Sequence, residues 1–248
     1  MHATNKVPQV TLAFWIIKIL ATTLGETGGD ALSMSLHLGY AESTLIFFGI
    51  FIVVLAAQVT SDKYHPALYW AVIVATTTAG TTLSDYLDRT LGLGYPKASL
   101  ILFATVLLVL AAWRFTLGSV SANNITSRKA EAFYWVTILF SNTLGTALGD
   151  FLADSSGLGY EGGALVFGAA LGLIALAYFY TNISHTLLFW TAFILTRPLG
   201  ATLGDILTKP ASTGGLNLNR ISSSLIIAAC IVVAILLTSQ KSREPSAA

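Results

Sequence analysis

Four aspartates in this chain, Asp30, Asp85, Asp150 and Asp205, each follow a glycine by five residues and a tryptophan by fifteen. The sets are Trp15/Gly25/Asp30, Trp70/Gly80/Asp85, Trp135/Gly145/Asp150 and Trp190/Gly200/Asp205. On a helix, residues one to four turns before the aspartate at 3.6-residue spacing share its face. That face carries Glu26, Thr27, Thr23, Thr22 and Lys18 in the first copy, and Thr82, Thr81, Thr78 and Thr77 in the second. The third has Thr146, Thr143 and Asn142, and the fourth Thr202, Pro198 and Arg197. Carboxylate and hydroxyl oxygens together suit hard cations: magnesium, calcium, manganese, sodium or protons. The expected cation-binding set is therefore Glu26, Asp30, Asp85, Asp150 and Asp205, lined by the threonines and Asn142. Glu26 and Asp30, one turn apart, form its metal-ligating pair. Lys18 and Arg197 are the internal charge partners, and five acids against two bases leave these faces with an excess of about three negative charges. Glu26 is the expected partner of both bases. No histidine lies on the stripe and the one cysteine, Cys230, sits in an apolar run, so zinc and copper fit poorly.

Identical offsets in four copies mark an internal repeat. Repeats of about 8–62, 63–120, 128–182 and 183–240 pair into two related halves, because the tryptophans are spaced 55, 65 and 55 residues apart. Ten residues past the aspartate come Gly-Tyr pairs ending in Tyr40, Tyr95 and Tyr160; the fourth copy has Gly214-Gly215 instead. With 54% hydrophobic residues, 10% charged residues and a mean hydropathy of +0.73, the chain departs from the composition of soluble domains. Apolar segments near 8–33, 43–60, 67–88, 97–115, 131–153, 163–181, 186–208 and 221–239 are each long enough to span a bilayer. The expected fold is all-α: a polytopic membrane protein of eight transmembrane helices, built as four parallel helical hairpins with pseudo-four-fold symmetry in a single membrane domain, 6–240. Each hairpin pairs a polar odd helix with a plain apolar even one. Polar faces avoid lipid, so the odd helices belong inside and the even ones outside.

The side holding the termini has Lys6, Lys63, Arg114, Arg128, Lys129, Lys241 and Arg243, against Arg89, Lys97, Lys209 and Arg220 opposite, which favours cytoplasmic termini. The tryptophans are expected as an aromatic belt at the inner interface. A net charge of +1 without a basic stripe excludes a nucleic-acid partner. Nothing matches a nucleotide-binding loop, a zincin helix or a Ser/His pair, and the Gly-x-Gly-Asp arrangement of intramembrane aspartyl proteases is absent, so the chain is not expected to be an enzyme or to need a cofactor.

The opening Asn5-Lys6-Val7-Pro8, with Phe14-Trp15-Ile16-Ile17-Lys18, Thr22-Thr23-Leu24-Gly25-Glu26-Thr27 and Leu195-Thr196-Arg197-Pro198-Leu199-Gly200-Ala201, resembles a family of bacterial inner-membrane proteins made of four tandem two-helix repeats, each with a tryptophan, whose function is unknown. The resemblance runs from about Lys6 to about Ser239. It implies the fold, the repeat count and a multi-pass location in the bacterial inner membrane, with the bilayer as partner, but no activity. From the residues, the expected function is transport or conduction of a small inorganic cation. The alternatives are an anion or small-solute carrier using Lys18 and Arg197, and a membrane scaffold or sensor. The sequence sets no oligomeric state.

Overall fold

The computed structural model describes residues 5–122 and 125–241, with the side chains of Gln240 and Lys241 excepted. The charges counted at Lys241 and Arg243 lie outside the described side chains. The described residues form eight α-helices: α1 (Leu12–Asp30), α2 (Gly39–Thr60), α3 (Pro66–Asp85), α4 (Tyr95–Leu117), α5 (Arg128–Asp150), α6 (Gly159–Tyr180), α7 (His185–Thr208) and α8 (Arg220–Lys241). The first helix starts later than its apolar run because Thr11 caps it, its hydroxyl accepting from the Phe14 N–H. In the first three copies the aspartate ends the α-helix and a five-residue π-helical turn follows (31–35, 86–90 and 151–155). In the fourth, α7 runs on to Thr208 and an irregular segment replaces that turn. Gly39, Gly94 and Gly159 bring the chain into the even helices at φ of 79°, 72° and 66°, a conformation that costs glycine little.

The odd helices close into a ring: α1 packs on α3, α3 on α5, α5 on α7, and α7 back on α1. The even helices lie outside it. Only 11–17% of the apolar span in each of α2, α4, α6 and α8 is buried, against 72% and 61% in α5 and α7. Six helices (α2, α4, α5, α6, α7 and α8) are long and apolar enough to cross a membrane; α1 and α3 are too polar to qualify alone. Most of their threonines, glycines and acids are buried against neighbouring helices.

One expectation is corrected. The helices of a repeat do not pack as a hairpin: α2 lies on α3, α4 on α5, α6 on α7, and α8 on α1. Each even helix therefore covers the odd helix of the next copy. The links 61–65 and 181–184 are short and force antiparallel neighbours, whereas a π turn and a glycine turn separate each of the first three odd helices from its own even helix. The last described helix, α8, covers α1 and completes the circle.

Two sets of contacts hold the ring, and both run once around it. A Cβ on Gly25 would collide with Thr77, one on Gly80 would crowd Asn142 and Thr143, one on Gly145 would collide with Arg197 and Pro198, and one on Gly200 with Thr22. The motif glycine is thus the point at which the next odd helix crosses. Nearer the termini, Phe14 packs on Trp70, Tyr69 on Trp135, Tyr134 on Trp190 and Phe189 on Trp15, with centroids 5.5, 5.6, 6.1 and 5.7 Å apart. Tyr69 and Tyr134 also share a hydroxyl hydrogen bond. Trp70, Trp135 and Trp190 are buried, so the tryptophans form an internal floor rather than an interfacial belt. Their indoles have aromatic partners across the ring that a single helix could not reveal.

Gly200→Ala, which would drive a Cβ into the Thr22 hydroxyl, should destabilise by about 1–3 kcal/mol through overpacking. Gly168→Ala and Gly172→Ala on α6 meet nothing within 4 Å and should be neutral or slightly stabilising. Detergent melting curves check both, and equal behaviour at the two kinds of site would refute the crossing-point role.

Candidate functional site

Inside the ring, equivalent residues of the four copies stack in layers. From the floor upward these are Lys18, Ile73, Ile138 and Phe193; then Thr22, Thr77, Asn142 and Arg197; then Glu26, Thr81, Thr146 and Ala201; then the four aspartates. Every one is buried. The fourth copy has Ala201 where the others have an acid or a hydroxyl, and Arg197, one turn earlier, supplies the polar group of that layer. Its Nη2 donates to Glu26 Oε2 at 3.1 Å on α1, to Thr146 Oγ1 at 2.7 Å on α5 and to Thr81 Oγ1 on α3. One guanidinium nitrogen thereby joins α7 to the other three odd helices. The Cβ and Cγ of Arg197 run through the space left by the missing side chain of Gly145.

The expected pairing of Glu26 with a base holds for Arg197 but not for Lys18. The Lys18 ammonium donates to Asn142 Oδ1 at 3.2 Å and lies 4.2 Å from the centre of the Phe193 ring. Asn142 in turn donates to Thr76 Oγ1 at 3.0 Å. No carboxylate among the described residues pairs with Lys18.

At the end of the ring away from the aromatic floor two cations bridge the aspartates in pairs. Arg89 binds Asp85 at 3.0 Å and Asp150 at 3.1 Å. Lys209 binds Asp30 at 2.8 Å and Asp205 at 3.2 Å, and Arg220 approaches Asp30 at 3.5 Å. The expected excess of negative charge is therefore corrected: bases assigned to the outer loops fold back onto the acids. The signal was present, because Arg89 and Lys209 each follow an aspartate by four residues, one helical turn, at matching positions in the two halves. Burial alone would lower the Lys209 ammonium, but Asp205 and Asp30 outweigh it and hold the group above its ordinary range, so it stays charged.

The threonine stripe divides. Thr22 and Thr77 donate across the ring to the carbonyls of Thr196 and Ala21, and Thr81 to that of Gly25. Thr23, Thr78, Thr82, Thr143 and Thr202 bond carbonyls of their own helix one turn earlier. Thr27 accepts from Ser224 on α8, and the methyl of Thr202 faces Gly163 on α6, so these two look outward at even helices rather than into the ring. A seven-residue spacing cannot separate an axial position from its flank when the neighbours are unknown.

Of the expected acids, Glu26, Asp30 and Asp205 come together, each with a carboxylate oxygen within 4.8 Å of the others, and all are buried. Asp85 and Asp150 pair separately across Arg89. The three clustered oxygens could bind one hard cation if the Lys209 ammonium moved aside.

Because Arg197 neutralises a buried Glu26, Arg197→Met should cost about 3–5 kcal/mol. Lys18→Met, which leaves no carboxylate bare, should cost less, and Glu26→Gln together with Arg197→Met should regain part of the loss. Reversible unfolding in mixed micelles measures all three; equal losses for Arg197→Met and Lys18→Met would refute the assignment.

A family model described as Repeat of Unknown Function (DUF347) matches four successive stretches, residues 13–64, 68–118, 133–184 and 188–243, each holding one odd helix and the even helix after it. The resemblance to four tandem repeats is borne out. No curated protein and no solved structure matches the chain.

Proposed function

The chain belongs to this repeat family, and we propose that it is a multi-pass membrane protein that carries a small hard cation through the ring of odd helices. All eight helices cross the bilayer in this reading, including α1 and α3, whose polar groups find partners inside the ring instead of meeting lipid. The membrane is the bacterial inner membrane that the resemblance implies, with the termini in the cytoplasm, as the basic residues on that side favour. The apolar exterior supports this: Leu45, Val53, Leu100, Leu108, Leu165, Leu173, Leu225 and Leu237 all stand exposed on even helices.

The observation that carries the cation is the meeting of Glu26, Asp30 and Asp205 from opposite ends of the chain. The Lys209 ammonium lies between Asp30 and Asp205, the position a bound cation would take. Lys209 sits just beyond α7 on a short irregular segment, so its single side chain can swing toward the mouth when a cation takes over the carboxylates. The aromatic floor closes the other end, which favours a carrier that opens to each side in turn over a standing pore.

With manganese as the probe and the purified protein in detergent, Glu26→Gln and Asp30→Asn should each weaken binding roughly tenfold or more. Lys209→Met should strengthen it by removing the competing ammonium. Binding should weaken in acid, because protons compete for the same oxygens. Unchanged affinity in both carboxylate variants would end the assignment.

The membrane reading has its own test in Cys230, which is exposed on the outer surface of α8. A bilayer-facing thiol should resist a membrane-impermeant maleimide in native membranes and react after denaturation in dodecyl sulfate. Equal labelling in both states would argue against a lipid-facing α8.

A further inference from the structure

Arg197 is fully buried, yet only one of its three nitrogens is used. Every hydrogen bond it makes leaves from Nη2, while Nε and Nη1 have no partner. Buried polar groups are almost always satisfied, and a buried guanidinium edge without a partner is among the costliest exceptions. The Lys18 ammonium, equally buried and one layer nearer the floor, has three N–H groups and a single acceptor, Asn142 Oδ1. Of these two groups only Arg197 engages a carboxylate, that of Glu26. With Lys18 protonated, the middle of the ring carries one more positive than negative charge, together with donors that lack acceptors. Water would satisfy the donors but not the charge.

We propose that the open edge of Arg197 and the ammonium of Lys18 hold a small inorganic monoanion of chloride size at the centre of the ring, one layer below Glu26. The close helix crossings at Gly25, Gly145 and Gly200 favour a monatomic ion over a carboxylate or phosphate. Asn142 orients the ammonium, and the Phe193 ring shields its far side. The site adjoins the Glu26, Asp30 and Asp205 cluster through the Arg197 and Glu26 pair but does not depend on a cation binding there.

The test uses the full-length protein in detergent, with N-methylglucamine as the only added cation and chloride exchanged for gluconate at constant ionic strength. Labelled chloride in equilibrium dialysis should show a single saturable site, and the melting temperature should rise with chloride along the same curve. Lys18→Met should fold and bind chloride roughly tenfold or more weakly. Because Arg197→Gln alone strands Glu26 and endangers folding, the paired variant Glu26→Gln with Arg197→Gln serves instead and should abolish the chloride-dependent rise in melting temperature. Absence of saturable chloride binding to the wild-type protein, as with an uncharged Lys18, would overturn the proposal. So would wild-type chloride affinity in Lys18→Met. With no metal cation present, neither result bears on manganese binding at the acid cluster.

Discussion

The four odd helices meet at a single guanidinium. Arg197 reaches Glu26, Thr81 and Thr146, one residue from each of the other three, in a layer where its own helix contributes only Ala201. Placing a charge there requires three sequence features at once: a glycine at 145 for the stem to pass, an alanine one turn ahead, and an acid on α1 to neutralise it. Unpaired charge in such an environment is costly enough that the pair sets the register of α7 against α1. Helix packing around it then has little freedom.

Two symmetries coexist in the molecule, and different forces maintain them. Close packing follows the four-fold repeat, since the glycine crossings and the aromatic floor recur at every step of the ring. Charge follows the two halves: Arg89 and Lys209 occupy equivalent positions and each bridges two aspartates from neighbouring copies. Packing tolerates near-identical copies because shape complementarity repeats. A ring of four acids without bases would repel itself, and two shared cations relieve this with the fewest added charges. The remaining asymmetry, Glu26, Arg197 and Lys18, is confined to the middle layers, where the first and fourth copies meet across the seam that no peptide link spans.

That seam also explains the exchange of even helices. A repeat that covered its own odd helix would form an independent hairpin, and four such hairpins could associate in several orders. Because each even helix covers the next odd helix, every copy is incomplete without its neighbour, and the last covers the first. The arrangement resembles repeat proteins in that stability resides at the interfaces between copies, but here the array is closed and leaves no end to cap.

The sequence by itself determined the repeat, the helical class and which helices are polar, because identical offsets and hydrophobic periodicity report directly on a residue's face of its own helix. It also held the Glu26 and Arg197 pair, since buried opposite charges on polar stripes have few other places to go. Tertiary structure alone decided which helix each face meets. Periodicity carries no information about neighbours, so it cannot show that each even helix covers the next copy, that the tryptophans meet inside the ring, or that Thr27 and Thr202 face α8 and α6. Lys18 shows the same limit, for it lies on the acid-bearing stripe of α1 yet meets an amide and an aromatic ring. Arg89, Lys209 and Arg220 read as loop charges until the turns after the aspartates fold them back over the mouth of the ring, where desolvated carboxylates hold them more tightly than water would.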